Sequence, residues 1–137
     1  MIEPTTPPVD VATSLRRWAR GVYPLEAGVE LLIKAFPDGR LLNGPWLKAD
    51  RDRSVYWLDQ EALADNNLGG HSGGERRILA IARSLIGGEP VSLYEAIPGL
   101  DDVRVEAVLG AIRHASGQRP DDYNNEGQLA RARFAGD

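Results

Sequence analysis

"HSGGERRILAIARSLIGG", residues 71–88, is the stretch on which the reading of the fold turns. Ser72-Gly-Gly-Glu75 has the spacing of a capping box. In that arrangement the serine hydroxyl accepts from the amide three residues on, and the glutamate reaches back to the serine amide. Behind this start, Ile78, Leu79, Ala82, Leu85 and Ile86 recur at helical spacing and form one apolar face, while Arg76, Arg77 and Arg83 fall toward solvent. Gly87-Gly88 supplies the stop, because glycine accepts the left-handed backbone that closes a helix. The stretch predicts a well-bounded amphipathic helix, which needs other helices to cover its apolar face.

The flanking sequence provides them. Asp10 or the Thr13-Ser14 pair can start a first helix, with Val11, Leu15, Trp18 and Val22 on one side and Gly21 as its stop. Trp18 shares that side with Leu15, so Arg16, Arg17 and Arg20 are expected to flank it in water. Pro24 suits the first position of a second helix, whose stripe is Leu25, Val29, Leu32, Ile33 and Phe36, with Glu26 and Glu30 toward the other face. "FPDGR", 36–40, ends it. Two short β-prone runs, Trp46–Ala49 and Ser54–Leu58, bracket the charged turn "DRDR" and read as a hairpin. Asp59 can cap a short helix in "QEALAD", ahead of a flexible "NNLGG" at 66–70. After residue 88, Pro90 and Pro98 leave room for one or two helical turns. Asp101 or Asp102 opens a last helix, with Val105, Val108, Leu109 and Ile112 expected on its core face and Ser116-Gly117 at its end.

The expected fold class is therefore α+β, mainly α: a compact helical domain with one small β-hairpin near residues 45–58 and one shared core. Residues 1–9 read as a flexible Pro/Thr-rich arm, 10–117 as a single globular domain, and 118–137 as a largely disordered polar tail.

Composition removes several functions. The 137 residues carry 16 basic and 20 acidic side chains, a net charge of −4, spread evenly rather than blocked. Proteins that live on a phosphate backbone usually show the opposite balance, so nucleic acid is disfavoured, although a local basic patch is compatible with the total. The chain has no cysteine, hence no disulfide, no thiolate metal site and no cysteine nucleophile. Its two histidines, His71 and His114, lie far apart, so no metal is expected. "MIEPTTPPVD" lacks a basic start and an apolar run, and no stretch has the length of a membrane span. The expected setting is cytoplasmic, away from the membrane.

His71-Ser72-Gly73-Gly74-Glu75 followed by Ala80-Ile81-Ala82-Arg83 resembles the signature segment of ABC ATPases, a Leu-Ser-Gly-Gly-Gln/Glu motif at a helix start. "YEAIPGLDD", 94–102, resembles the Walker B and D-loop region, with Glu95 near the family's catalytic glutamate and Gly99-Leu100-Asp101 on the D-loop. The resemblance implies that Ser72, Gly73 and Gly74 approach a γ-phosphate held by another domain. The departures are the leading His71, Tyr94 at the magnesium-binding aspartate, a shortened strand at Val91-Ser92-Leu93, and no switch histidine. No Gly-x-x-x-x-Gly-Lys-Ser/Thr loop occurs in the chain, so it lacks the phosphate cradle and lysine needed to hydrolyse ATP alone. The capped helix explains the segment with fewer assumptions. A second resemblance spans about residues 15–117, through "WARGVYPLEAGVELLI", "GPWL…YWLDQEAL" and the 72–101 region. It is to a group of small proteins of actinobacteria and their phages, in keeping with fourteen arginines against two lysines. That group brings no established activity to carry over.

No nucleophile and base are paired in the sequence, so no catalytic residue and no cofactor is assigned. His114, near a helix end, fits a dipole partner better than a general base. Trp46, Arg51, Arg53 and Trp57 are the candidates for partner binding, since aromatic and arginine side chains together make interface centres. The bland alternative puts one hairpin aromatic in the core and leaves the other at the rim. Ser72, Gly73, Gly74, Arg76 and Arg77 are the candidates for an anion or nucleic acid. The leading expectation is a non-enzymatic protein-interaction or regulatory module of phage or mobile-element origin, with another protein as partner and self-association compatible. The runner-up is a nucleic-acid-binding regulator of helix-plus-wing form. The third is an ATP-sensing fragment completed by a partner subunit.

Overall fold

The computed structural model describes residues 10–63 and 71–118. The expected arm at 1–9, the flexible loop at 66–70 and the polar segment from 119 onward lie outside the described residues. The described part is mainly α with one two-stranded antiparallel hairpin, the expected class.

Helix α1, Val11–Ala19, starts where Asp10 Oδ2 accepts from the Thr13 amide at 3.0 Å. Its end is followed by Gly21 at φ +98°. Helix α2, Tyr23–Lys34, begins one residue earlier than expected, so Pro24 occupies its second position. It is the central helix, because α1, α3 and α5 all pack on it. Ala27, Gly28, Val29, Leu31 and Leu32 are all buried, so a single core stripe understates its burial. Gly28 lets α3 come close; a Cβ there would collide with Ile86.

Being surrounded also changes its acids. Glu30 bonds Arg16 of α1 (2.7 Å), and Glu26 meets His114 Nε2 of α5 at 2.6 Å while accepting from the Gly21 amide. Neither faces open water as the stripe reading expected, with both side chains less than one-fifth exposed. Burial works against ionisation of Glu30, but the Arg16 hydrogen bond and charge outweigh it and hold its carboxyl below the ordinary value.

After α2, a 3₁₀ turn at Arg40–Leu42 buries Leu41. Strands β1, Leu47–Ala49, and β2, Tyr56–Leu58, pair antiparallel with Leu47 opposite Leu58 and Lys48 opposite Trp57. The hairpin packs on α1, where buried Ser14 accepts from the Tyr56 amide at 2.8 Å. A second 3₁₀ turn, Glu61–Leu63, follows Asp59, whose carboxylate accepts from the Glu61 amide.

Helix α3, Gly73–Gly87, carries the capping box in both directions, with Gly88 closing it at φ +79°. The one-turn helix α4, Leu93–Ala96, is capped by Ser92 and packs on α3. Helix α5, Asp102–Ala115, is capped by Asp101 and lies along α2.

The largest departure from the sequence reading is the rotation of α5. Val108 and Ala111 are buried, with Ala107 and Ala115 packed at the edge of the core, whereas Leu109 and Ile112 are 43% and 53% exposed. Val105, Leu109 and Ile112 form a stripe one flank away from the core line. The cause is local. Alanines allow close approach to α2, and the His114–Glu26 bond fixes which side of α5 turns inward. His114 is thus tied to a residue 88 positions away and does more than offset the helix dipole.

Candidate functional site

The hairpin candidates separate. Trp46 is wholly enclosed; its Nε1 donates to the Leu41 carbonyl at 2.8 Å, and its ring lies 5.5 Å from that of His71. Gly44 makes room for it, since a Cβ there would overlap the indole. Trp46 is therefore a core residue and cannot form part of an exposed contact surface. Trp57 is half-buried on β2. Arg51 and Arg53 are exposed on the turn, Arg53 at φ +61°. Asp50 organises that turn by accepting from the Ser54 and Val55 amides, and Asp52 bonds Ser54 as well. Two acids thus sit among the two arginines, so the turn offers little unmatched positive charge.

The start of α3 is a network of fixed charges. Ser72 Oγ accepts from the Glu75 amide at 3.2 Å, and Glu75 Oε1 accepts from the Ser72 amide at 3.0 Å. Arg40 reaches Glu75 at 3.1 Å and Asp38 at 2.8 Å, while His71 Nδ1 lies 3.2 Å from Glu75. The Ser72 amide, with Arg40 and His71, overcomes partial burial and holds the Glu75 carboxyl below its ordinary value. A carboxylate thus already neutralises the positive end of α3, which weakens this terminus as a site for a second anion.

Gly73, Gly99 and Arg77 meet in space. Gly99 adopts φ +95°, and a Cβ on it would lie 3.1 Å from the Arg77 guanidinium carbon; one on Gly73 would lie 3.2 Å from Arg77 Nη1. The segments around Gly73 and Gly99 come together here, and the side chain between them is Arg77. Beside them Ser72, Gly74, Leu100, Asp101 and Arg104 line a pocket of 210 Å³ with Phe36. Arg104 stacks 4.1 Å over the Phe36 ring and pairs with Asp101, while its Nε is enclosed without a hydrogen-bond partner among the described residues.

The candidates Arg76 and Arg77 belong to a different groove, between α3 and α4. Arg83 joins them there, with Ser92, Glu95 and the small residues Ala80 and Ala96, around 310 Å³. Arg77 and Arg83 are half-buried, so the expectation that all three α3 arginines face solvent holds for Arg76 alone. The hairpin packs on α1 and this groove lies against α4, so the structure does not bring Arg51 and Arg53 together with Arg76 and Arg77. Sequence reasoning missed Arg83 as a member. Its signal was present, because 76, 80 and 83 fall on one helix line and Pro90 turns the chain back over it.

A second surface was also missed: the outer flank of α5, with Val105, Leu109 and Ile112. On its edge sit the exposed Glu106 and Arg113, two turns apart. Among the described residues no helix is long and apolar enough to cross a membrane. Compared with known protein families, curated proteins and solved structures, the chain matches none.

Proposed function

We propose that the chain is a non-enzymatic protein-interaction module whose contact face is the outer flank of α5. One observation carries the reading: α5 turns alanines and a valine inward and leaves its two largest aliphatic side chains, Leu109 and Ile112, about half exposed. A helix that served only the core would do the reverse. A half-covered aliphatic stripe of this kind gains by meeting another apolar surface.

The charge pattern defines the partner. Glu106 and Arg113 border the stripe on either side of Leu109. An amphipathic helix laid along α5 fits it, with apolar residues against Val105, Leu109 and Ile112 and a base opposite Glu106. A second copy of α5 brings an aliphatic stripe of the same kind, so self-association is one outcome of the test. The nucleic-acid reading has less support, because its four arginines divide between the hairpin turn and the α3–α4 groove, and Asp50 and Asp52 accompany the first pair.

The test compares the native chain with Leu109→Asp/Ile112→Asp. Nuclease-treated host lysate is passed over each, and sedimentation of each is followed against concentration. The reading predicts a protein retained by, or a dimer formed from, the native chain and lost in the variant at unchanged helical content. Retention that survives the substitution, or that disappears with nuclease, contradicts it.

A further inference from the structure

Arg76, Ala80 and Arg83 follow one line along α3, with Arg77 one step round. Pro90, Val91, Ser92 and α4 return over this line, so the three guanidiniums border one groove. Alanine at 80 and 96 keeps the space between them open. Among the described residues neither Arg76 nor Arg77 enters an ion pair. Arg83 meets Glu89 only at 3.6 Å, through Nη2, and its Nε is enclosed without a hydrogen-bond partner among the described residues. An enclosed charged donor without an acceptor is costly, and native sites of this kind commonly hold a ligand or water. Arg77 is positioned as well as charged, because its guanidinium rests against the backbone of Gly99, where no side chain intrudes.

We infer that this groove is a binding site for a phosphate monoester. Glu95 is the one acid among the lining residues and Glu89 meets Arg83 from beside the groove, so three guanidiniums against two carboxylates leave it net positive, the sign that a phosphate monoester requires. A carboxylate is satisfied by one bidentate arginine, whereas three acceptor oxygens match several guanidinium forks. The groove also lies off the α3 terminus, where Glu75 already occupies the anionic role. The ester can come from a small phosphorylated molecule or from a phosphorylated side chain of a protein; the two share the group that the arginines recognise. This site is separate from the α5 flank, and its test does not depend on that reading.

The experiment follows the arginine Nε–Hε signals of the full chain by NMR while phenyl phosphate is added at constant ionic strength, with acetate as control. The expected result is a saturable shift confined to Arg76, Arg77 and Arg83. Binding should tighten as pH rises through the second phosphate ionisation near ~6. Arg76→Gln/Arg77→Gln should weaken it at least tenfold, Arg51→Gln/Arg53→Gln should leave it unchanged, and Glu95→Gln should tighten it several-fold. This last gain cannot come from a misfolded variant. A phosphoserine peptide separates the sources: affinity equal to phenyl phosphate assigns a small ester, and at least tenfold tighter binding assigns a phosphorylated protein. Shifts equal to those with acetate, no loss in the double arginine variant, or weaker binding by Glu95→Gln would overturn the inference. Tighter binding of a single-stranded oligonucleotide without terminal phosphates would also overturn it, in favour of a diester backbone.

Discussion

The rotation of α5 makes a prediction opposite to that of its sequence pattern. The pattern places Leu109 and Ile112 in the core; the structure leaves them 43% and 53% exposed and buries Ala111 to 3% and Val108 to 4%. Fully burying a leucine or isoleucine is worth about 1.5–3 kcal/mol, so a side chain about half covered contributes about 1 kcal/mol. Leu109→Ala and Ile112→Ala should each cost no more than about 1 kcal/mol in the monomer. Val108→Ala opens a cavity beside α2 and should cost about 2 kcal/mol. Ala111→Leu forces three extra carbons between α2 and α5 and should cost about 1–3 kcal/mol. Urea unfolding followed by tryptophan fluorescence reads these differences as shifts in midpoint at constant slope. The protein is kept dilute, since self-association would add its own stabilisation. Loss of about 3 kcal/mol or more in Leu109→Ala, with Ala111→Leu tolerated, would refute the assigned rotation.

Three further outcomes follow from the same contacts. Ser72→Ala removes one arm of the capping box and should cost about 1 kcal/mol, by an amount that added ATP and magnesium leave unchanged in thermal melts. Trp46→Phe leaves the enclosed Leu41 carbonyl without its donor and should cost about 1–3 kcal/mol, read in the same urea titration. Glu30 and Glu75 have folded pKa values below the ordinary 4.5, so they bind fewer protons than in the unfolded chain. Their contribution is present above that value and is lost as pH falls through it toward the lowered ones. The urea midpoint should therefore drop below about pH 4.5, and less steeply in Glu30→Gln/Glu75→Gln, measured across pH 3–6.

Local signals in the sequence were strong where one residue decides the backbone. Asp10, Ser72 and Asp101 start helices, and Gly88 ends one, because caps act within a single turn. The hairpin was legible from two β-prone runs about a charged turn. The misreadings share a cause: each side chain's surroundings are set by a distant segment. Glu26 and Glu30 look solvent-facing until α1 and α5 bring Arg16 and His114 to them. Leu109 looks like a core residue until the alanines of α5 seat the helix closer on its other side. Trp46 looked like a contact candidate beside Arg51 and Arg53, yet the space left at Gly44 draws it inward. Of the anion candidates, Arg76 and Arg77 share a groove with Arg83, a residue 7 positions from Arg76. Ser72 at the start of α3 instead forms the cap and Gly73 leaves the space for Arg77, whereas a Cβ on Gly74 would meet nothing.

Whether α5 presents a protein-binding flank is decided by a photo-crosslinking side chain placed at Leu109 and, in a parallel protein, at Arg51 on the hairpin turn. Both positions are solvent-accessible, and each reports only what touches it. The account predicts one discrete, nuclease-resistant protein adduct at 109, whether a second copy or another chain, and none at 51. An adduct at 51 with none at 109, or a nucleic-acid adduct at either position, would contradict it.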